Sequence, residues 1–267
     1  MIRVRLARCV LALIFMAALA ADVLAPRPYD AQFRDSPDAR PSRQFLLGTD
    51  ELGRDRFSRL LYGTRLSLLL APAAAALATS LSALVGLAAA ASGRWGERGV
   101  LAITDLVLSL PWLFLLLAVR ALLPLNLAPL VSVVITFALL GLLGWAPAAR
   151  VLHAGIRALR QSDFVLHARA SGCRSSRLMA VHILPNLVPL LRAQFWILVP
   201  AFLLTEANLG LLGLGVSEPL PSWGNLLREL ENVSAVPSRP WLLVPVVLLI
   251  VVVGCLHLAF PGEERAA

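Results

Sequence analysis

The sequence predicts an all-α membrane protein with about six spanning helices, and three observations carry that prediction. Apolar residues make up 58% of the chain and mean hydropathy is +0.78, whereas soluble domains run at about 45–50% apolar. Charged residues are only 15%. The apolar residues are gathered into runs about as long as a bilayer is thick. A chain of this composition could not cover a soluble surface with polar groups, so lipid is its natural solvent.

Taken in order, Arg3, Arg5 and Arg8 precede a first apolar run over residues 9–21. Alone, that run resembles a signal peptide with a cleavage-like site at Ala17 to Ala21, but the runs that follow favour an uncleaved first helix. Residues 25–65 are polar, carry Pro26, Pro28, Pro37 and Pro41, and belong outside the lipid. Their second half, 48–65, has the spacing Phe57, Leu60, Leu61 of a short amphipathic helix at the interface. Residues 66–91 form the second span and 93–99 a tight turn. Residues 100–119 form the third, about 20 residues and so roughly 30 Å of helix. After a turn at 120–126 come the fourth span, 128–145, a basic connection, 147–185, and the fifth span, 187–204. A polar loop, 205–240, leads to the sixth span, 241–260.

The fifth span contains Pro189, Arg192 and Gln194. Such residues suit a helix that faces protein or a watery route; equally, Arg192 can snorkel from a kinked helix to the interface. Orientation follows from charge. The 147–185 segment carries Arg150, Arg157, Arg160, Arg169, Arg174 and Arg177 against Asp163 alone. The 205–240 loop carries Glu206, Glu218, Glu229 and Glu231 against Arg228 and Arg239. The positive-inside rule puts the first in the cytoplasm, the second outside, and both termini inside. The 25–65 loop then lies outside despite its arginines, which Asp30, Asp35, Asp38, Asp50, Glu51 and Asp55 largely offset.

Several function classes drop out. The net charge of +8 comes from arginines dispersed between apolar runs, with no aromatic-rich basic face for nucleic acid. Cys9, Cys173 and Cys255 have neither disulfide nor metal-ligand spacing. His153, His167, His182 and His257 do not pair as a membrane protease's zinc site would require, and no phosphate-cradling Gly-x-x-x-x-Gly-Lys motif is present. A membrane-embedded enzyme is therefore disfavoured, and neither a catalytic residue nor a metal ligand is assigned. A channel or secondary transporter would carry more ionisable residues within its spans.

The basic connection is longer than packing requires, and long connections usually do work. Ser162-Asp163 is a helix start signal, Phe164 to Ala170 (through Val165, His167, Ala168 and Arg169) favours a short helix, and Gly172 can supply its left-handed stop. Leu184-Pro185 suits the first turn of the fifth span. The result is a short helix across the cytoplasmic face, joined to two spans, with Ala168, Ala170 and Gly172 small enough to let a partner's groove come close. This segment resembles the coupling loop of ABC importer permeases, whose pattern is an Ala-Ala pair, a Gly and a later Leu-Pro. Here these fall at His167-Ala168, Gly172 and Leu184-Pro185, with His167 in place of the first Ala.

Two further segments, in matching order, narrow the resemblance to C-type subunits of the dipeptide, oligopeptide and nickel permeases. One is Leu47 to Leu68, containing Gly48, Thr49, Asp50, Gly53, Arg54, Asp55 and Arg65. The other runs from Thr205 through Glu206, Gly213 and Gly215 to Trp223-Gly224. In the first, Gly48 and Gly53 free the backbone around a Thr49-Asp50 Asx-turn or cap, and Asp50, Asp55, Arg54 and Arg59 can pair with each other, for instance Asp55 with Arg59 at i,i+4. That structural reading is preferred over contact with an outside protein. The Gly210 to Gly215 stretch is expected to fold back near the outer mouth beside Glu206. Glu206 is open between helix capping, a local ion pair, and lining or gating the route. Asp105 is expected to pair with Arg98 or Arg94.

The resemblance implies a MetI-like core of five helices plus an N-terminal helix, in the bacterial inner membrane. It implies four regions: an N-terminal helix over 1–24, an extracytoplasmic loop over 25–65, a permease core over 66–260 containing the 147–185 coupling loop, and a short tail over 261–267. That tail stops short of the longer basic tail common in the family. The resemblance also implies a second homologous permease, two cytosolic ATPases that use ATP and Mg²⁺, and an extracytoplasmic solute-binding protein. Lipid surrounds the assembly, and the chain binds no cofactor directly. Peptides are the favoured cargo, with nickel or another small solute as the alternative.

Overall fold

A computed structural model describes residues 2–122, 124, 128–231 and 237–260. Among these the chain is helical, with isolated bridges between Gln32 and Arg54 and between Thr49 and Asp55. The helices are α1 (Ile2–Leu19), α2 (Ala21–Leu24), α3 (Arg56–Ala91), α4 (Arg94–Ser109), α5 (Trp112–Ala121), α6 (Pro129–Leu143) and α7 (Ala146–Arg160). They continue as α8 (Asp163–Ala170), α9 (Ser175–Arg177), a π-helical turn (Leu178–Ile183), α10 (Leu184–Leu211), α11 (Trp223–Arg228) and α12 (Val244–Ala259). Arg56–Ala91, Pro129–Arg160, Leu178–Leu211 and Pro240–Ala259 are long and apolar enough to cross a membrane. The α4–α5 pair makes a fifth such stretch, bent by 78°. Beside these, α1 carries Arg3, Arg5 and Arg8 and packs along α12. Arg8 donates to the carbonyl of Ala259 through Nε at 3.3 Å and Nη2 at 3.1 Å, satisfying an orphan acceptor where α12 ends. The sixfold expectation is thus met approximately.

Several boundaries differ from the sequence reading. The interfacial helix expected within 48–65 is instead the first turns of the 36-residue α3, which starts at Arg56 because Asp55 caps it. The third span breaks at Leu110 and Pro111, where proline has no N–H to continue the ladder. The fifth span runs on to Leu211, so the first residues of the expected 205–240 loop are helical. Ahead of Pro185 the helix widens into the π turn, which accommodates a ring that cannot donate to the preceding turn. The tail 261–267, Asn126 and the side chain of Glu231 lie outside the described residues.

The chain divides into two compact units. The first comprises residues 1–72, 117–137 and 199–267; the second comprises 73–116 and 138–198. In the second, Ala90, Ile156, Val165, Leu178, Ile183 and Leu187 form one buried apolar cluster.

Candidate functional site

The residues that the sequence reading assigned to a coupling loop all fall in the second unit. Ser162 has the extended backbone of an N-cap, but its hydroxyl donates to Leu159 O at 2.6 Å, so the expected cap bond to α8 is not made. The other end of α8 is closed as its sequence demands. The Gly172 N–H donates to Arg169 O at 3.0 Å and the Cys173 N–H to Ala168 O at 3.1 Å, the paired bonds of a Schellman stop. Gly172 has φ +80°, and a Cβ there would meet open space. Within this chain it is therefore required for its backbone angle, not for packing.

Val165 is fully buried and anchors α8 to Ile156 of α7, to Leu178 and Ile183 of the π turn and to Leu187 of α10. Ala168 is half-buried, packing partly against the same cluster. Asp163, Phe164, His167, Arg169 and Ala170 are exposed, and so is Leu166. Phe164 and Leu166 leave 45% and 46% of their surfaces open, a large apolar offering for an eight-residue helix. Leu184 and Pro185 open α10 and are also exposed. Arg192, left open between two readings, is an exposed residue of α10.

The same unit holds two ion pairs. Asp105 meets Arg150 at 2.5 Å, not Arg94 or Arg98, because α4 lies along α7. Glu97 meets the His153 Nε2 at 2.8 Å.

The two other motif segments fall in the first unit, where buried Asp50, Arg54, Asp55, Arg56 and Arg59 join more exposed carboxylates in a lattice of charge. Asp50 makes the expected Asx-turn, its Oδ1 accepting from the N–H groups of Leu52 at 3.0 Å and Arg54 at 2.8 Å. Its Oδ2 takes the Arg54 Nε at 2.6 Å. Asp55 does not pair with Arg59. Its Oδ2 caps α3 by accepting from the Ser58 N–H at 2.9 Å and hydroxyl at 2.6 Å. Arg59 reaches across to Glu218 instead, at 3.0 and 3.1 Å, and donates to Pro219 O. Arg54 also donates to Glu218. The Arg56 Nε donates to Glu229 at 2.7 Å, and Arg239 meets Asp38 at 2.8 Å.

These contacts shift the titrating groups outside the spans. Burial pulls the Arg54 guanidinium down, but Asp50 and Glu218 together hold it above its ordinary value. Burial pushes the Glu229 carboxyl up, and Arg56 opposes this only in part. Thr49 receives the Ala39 N–H at 2.8 Å and donates to Ser36 O. Gly48 and Gly53 both have positive φ, and a Cβ on Gly53 would lie 2.2 Å from Phe33 O. Arg65 and the Tyr62 hydroxyl converge on Asp22 at 2.8 and 2.9 Å.

Glu206 is fully buried, makes no ion pair among the described residues, and fills the capping role held open for it, at the first turn of α11. It accepts from neutral donors: the Gly224 N–H at 3.2 Å and the Ser67 hydroxyl at 3.4 Å. Trp223, also fully buried, donates from Nε1 to the Thr64 hydroxyl at 3.0 Å. The Gly-rich fold-back is present and tight. A Cβ on Gly210 would fall 2.2 Å from the backbone of Gly224, and one on Gly215 would fall 2.7 Å from the Gly210 Cα. Gly213 supplies the turn with φ +72°.

Arg120 was missed by the sequence reading, which placed it in a connecting turn. Its guanidinium holds the fold-back in place, donating to Leu214 O and Gly215 O at 3.0 Å each and to the Ser132 hydroxyl at 2.6 Å. A lone arginine closing an apolar run was the available signal.

Comparison with known proteins gives the geometry a context. The family described as binding-protein-dependent transport system inner membrane component matches residues 82–260. A di/tripeptide transport system permease protein of Pseudomonas aeruginosa is 34% identical over 257 residues, covering 94% of this chain and 82% of the relative. An oligopeptide transport system permease protein of Bacillus subtilis is 30% identical over 233 residues, covering 87% and 73% respectively. A Brucella suis protein named as a peptide permease is 33% identical over 204 residues, 76% of this chain and 66% of that relative, so the match spans just under two thirds of the relative's length.

Proposed function

Because this chain belongs to the family of binding-protein-dependent transport system inner membrane components, we propose that it is the C-type permease subunit of an ABC importer for peptides, driven through α8. As a permease component it forms part of a transmembrane path and performs no chemistry on its cargo. ATP and Mg²⁺ belong to two separate cytosolic ATPases, one of which seats on α8. A second, homologous permease completes the path, and a solute-binding protein delivers cargo on the far side. Peptide cargo is inferred from the names of the relatives.

The arrangement of α8 supports this reading best. Its Val165 is locked into a cluster shared with α7, the π turn and α10, while Phe164, Leu166 and His167 are left open. A force on the open face cannot rotate α8 alone without opening voids among close-packed side chains, so it passes into the helices below. Nucleotide-driven closure of the ATPases would therefore bias the spanning helices between two states. In this reading 147–185 and both termini lie on the cytoplasmic side of the inner membrane.

The test has two arms. Phe164→Cys or Leu166→Cys should crosslink to an ATPase subunit in the assembled transporter, and deletion of the chain should abolish peptide accumulation. Absence of the crosslink removes the coupling role; unchanged peptide uptake removes the importer reading.

A further inference from the structure

Two spanning stretches have their C-terminal ends close together in the second unit. The apolar helix α3 ends at Ala91, the stretch made by α6 and α7 ends at Arg160, and Arg160 donates to the carbonyl of Ala90. Beside them opens a cleft of about 530 Å³ lined by Arg94, Glu97 and Arg98 of α4, Arg157 and Arg160 of α7, and Arg169 of α8. Five guanidinium groups thus face one carboxylate. That carboxylate, Glu97, is already engaged by His153 at 2.8 Å. Arg98 lies 5.4 Å over the ring of Trp95. Arg94, Arg157 and Arg169 have no carboxylate partner among the described residues. Neighbouring cations confined in a cleft repel one another and raise the local potential, so the cleft favours an anion. Guanidinium forks match phosphate oxygens in pairs, which makes phosphate the best-fitting anion.

The position of the cleft selects the source of that phosphate. It lies at the turn between the end of α3 at Ala91 and the start of the membrane-crossing α4–α5 stretch at Arg94, the level at which a bilayer presents its headgroups. Leu101 completes the lining, and Trp95, 82% exposed, stands on the first turn of α4 as an interfacial aromatic would. We propose that this cleft binds the phosphate of an anionic phospholipid. Because Arg169 belongs to α8, the bound headgroup ties the coupling helix to α4 and α7. Lipid composition would then set how stiffly that helix is held. The inference requires only that these helices cross a membrane and is independent of the cargo.

The full chain, purified in neutral detergent, is to be titrated with short-chain phosphatidylglycerol and read by native mass spectrometry and by thermal melting. Parallel titrations use short-chain phosphatidylcholine and inorganic phosphate. Phosphatidylglycerol should be retained and should raise the melting temperature of the wild-type chain, with phosphatidylcholine doing neither. Arg94→Gln combined with Arg157→Gln should weaken phosphatidylglycerol binding by about thirtyfold, whereas Arg43→Gln, in the outer loop, should leave it unchanged. Equal retention of phosphatidylcholine would overturn the proposal. So would saturation of the cleft by inorganic phosphate alone, or wild-type affinity in the double variant. Should the double variant fail to fold, the wild-type melting series decides: no difference between the two lipids rejects the site.

Discussion

Arg59 in the first unit and Val165 in the second are almost equally inaccessible, yet they are held by opposite means. Arg59 sits among Glu218, Pro219 O and Asp50, at the centre of a lattice in which each bond has a direction and a length. Val165 sits among Ile156, Leu178, Ile183 and Leu187, whose contacts have no preferred direction. A hydrogen-bonded ion pair weakens steeply with misalignment, whereas apolar surfaces can shift past one another and still exclude water. The lattice is suited to holding loops in one arrangement. The apolar cluster is suited to carrying a helix between two. A permease needs both properties.

Glycine substitutions test the contrast most severely. Gly210→Ala would place a Cβ 2.2 Å from the Gly224 backbone, a clash that no rotamer relieves. The expected loss is about 4 kcal/mol or more, seen as failure to accumulate or a collapsed melting temperature in detergent. Gly172→Ala meets only open space and suffers only from its left-handed backbone, about 1–2 kcal/mol. Similar losses at both positions would mean that close packing does not distinguish the fold-back from the α8 stop.

Arg59→Met comes next. It takes a buried cation out of the lattice and leaves Arg54 alone to serve Asp50 and the half-exposed Glu218, for a loss of about 3 kcal/mol. Val165→Ala should cost less, about 2 kcal/mol, because the surrounding side chains can partly close on the space. Function should separate the units further. Val165→Ala should slow peptide uptake through a loosened α8, and Phe164→Ala should do so with stability unchanged within about 0.5 kcal/mol. If Phe164→Ala transports normally, the open face of α8 bears no load.

How far the sequence carried this account depended on the range of each interaction. Gly172 and the Asp50 turn were legible because a left-handed stop and an Asx-turn are demands of a few adjacent residues, whereas Pro185, read as opening the fifth span, lies inside a helix that runs from Leu178. The spans were legible from their apolar length. The long-range polar contacts were not, since Arg59 pairs with Glu218, Glu97 with His153 and Arg120 with Gly215 across long stretches of chain. A single sequence offers only near neighbours as partners, which is why Asp55 was assigned to Arg59 and Asp105 to Arg94 or Arg98. In each case a helix packed alongside, or a cap, supplied the better partner. The bend at Pro111 was open to the same local reasoning; the apolar run around it concealed the break.

The smallest expected effect concerns pH and belongs to the lattice alone. Burial raises the Glu229 carboxyl above its ordinary range despite the bond from Arg56. The folded chain therefore holds a proton more tightly than the unfolded chain does. By linkage, the stability from this proton is fully present below the ordinary carboxylate range and is lost as pH rises through the raised value. Melting temperature should fall slightly across that window in the wild type. Glu229→Gln removes the titrating group while keeping an acceptor for Arg56, so its melting curve should be flatter there. The apolar cluster around Val165 contains no ionisable side chain, so Val165→Ala should lower the melting temperature by the same amount on both sides of the window. A wild-type slope that survives Glu229→Gln would assign the pH response to another group and remove Glu229 from the account.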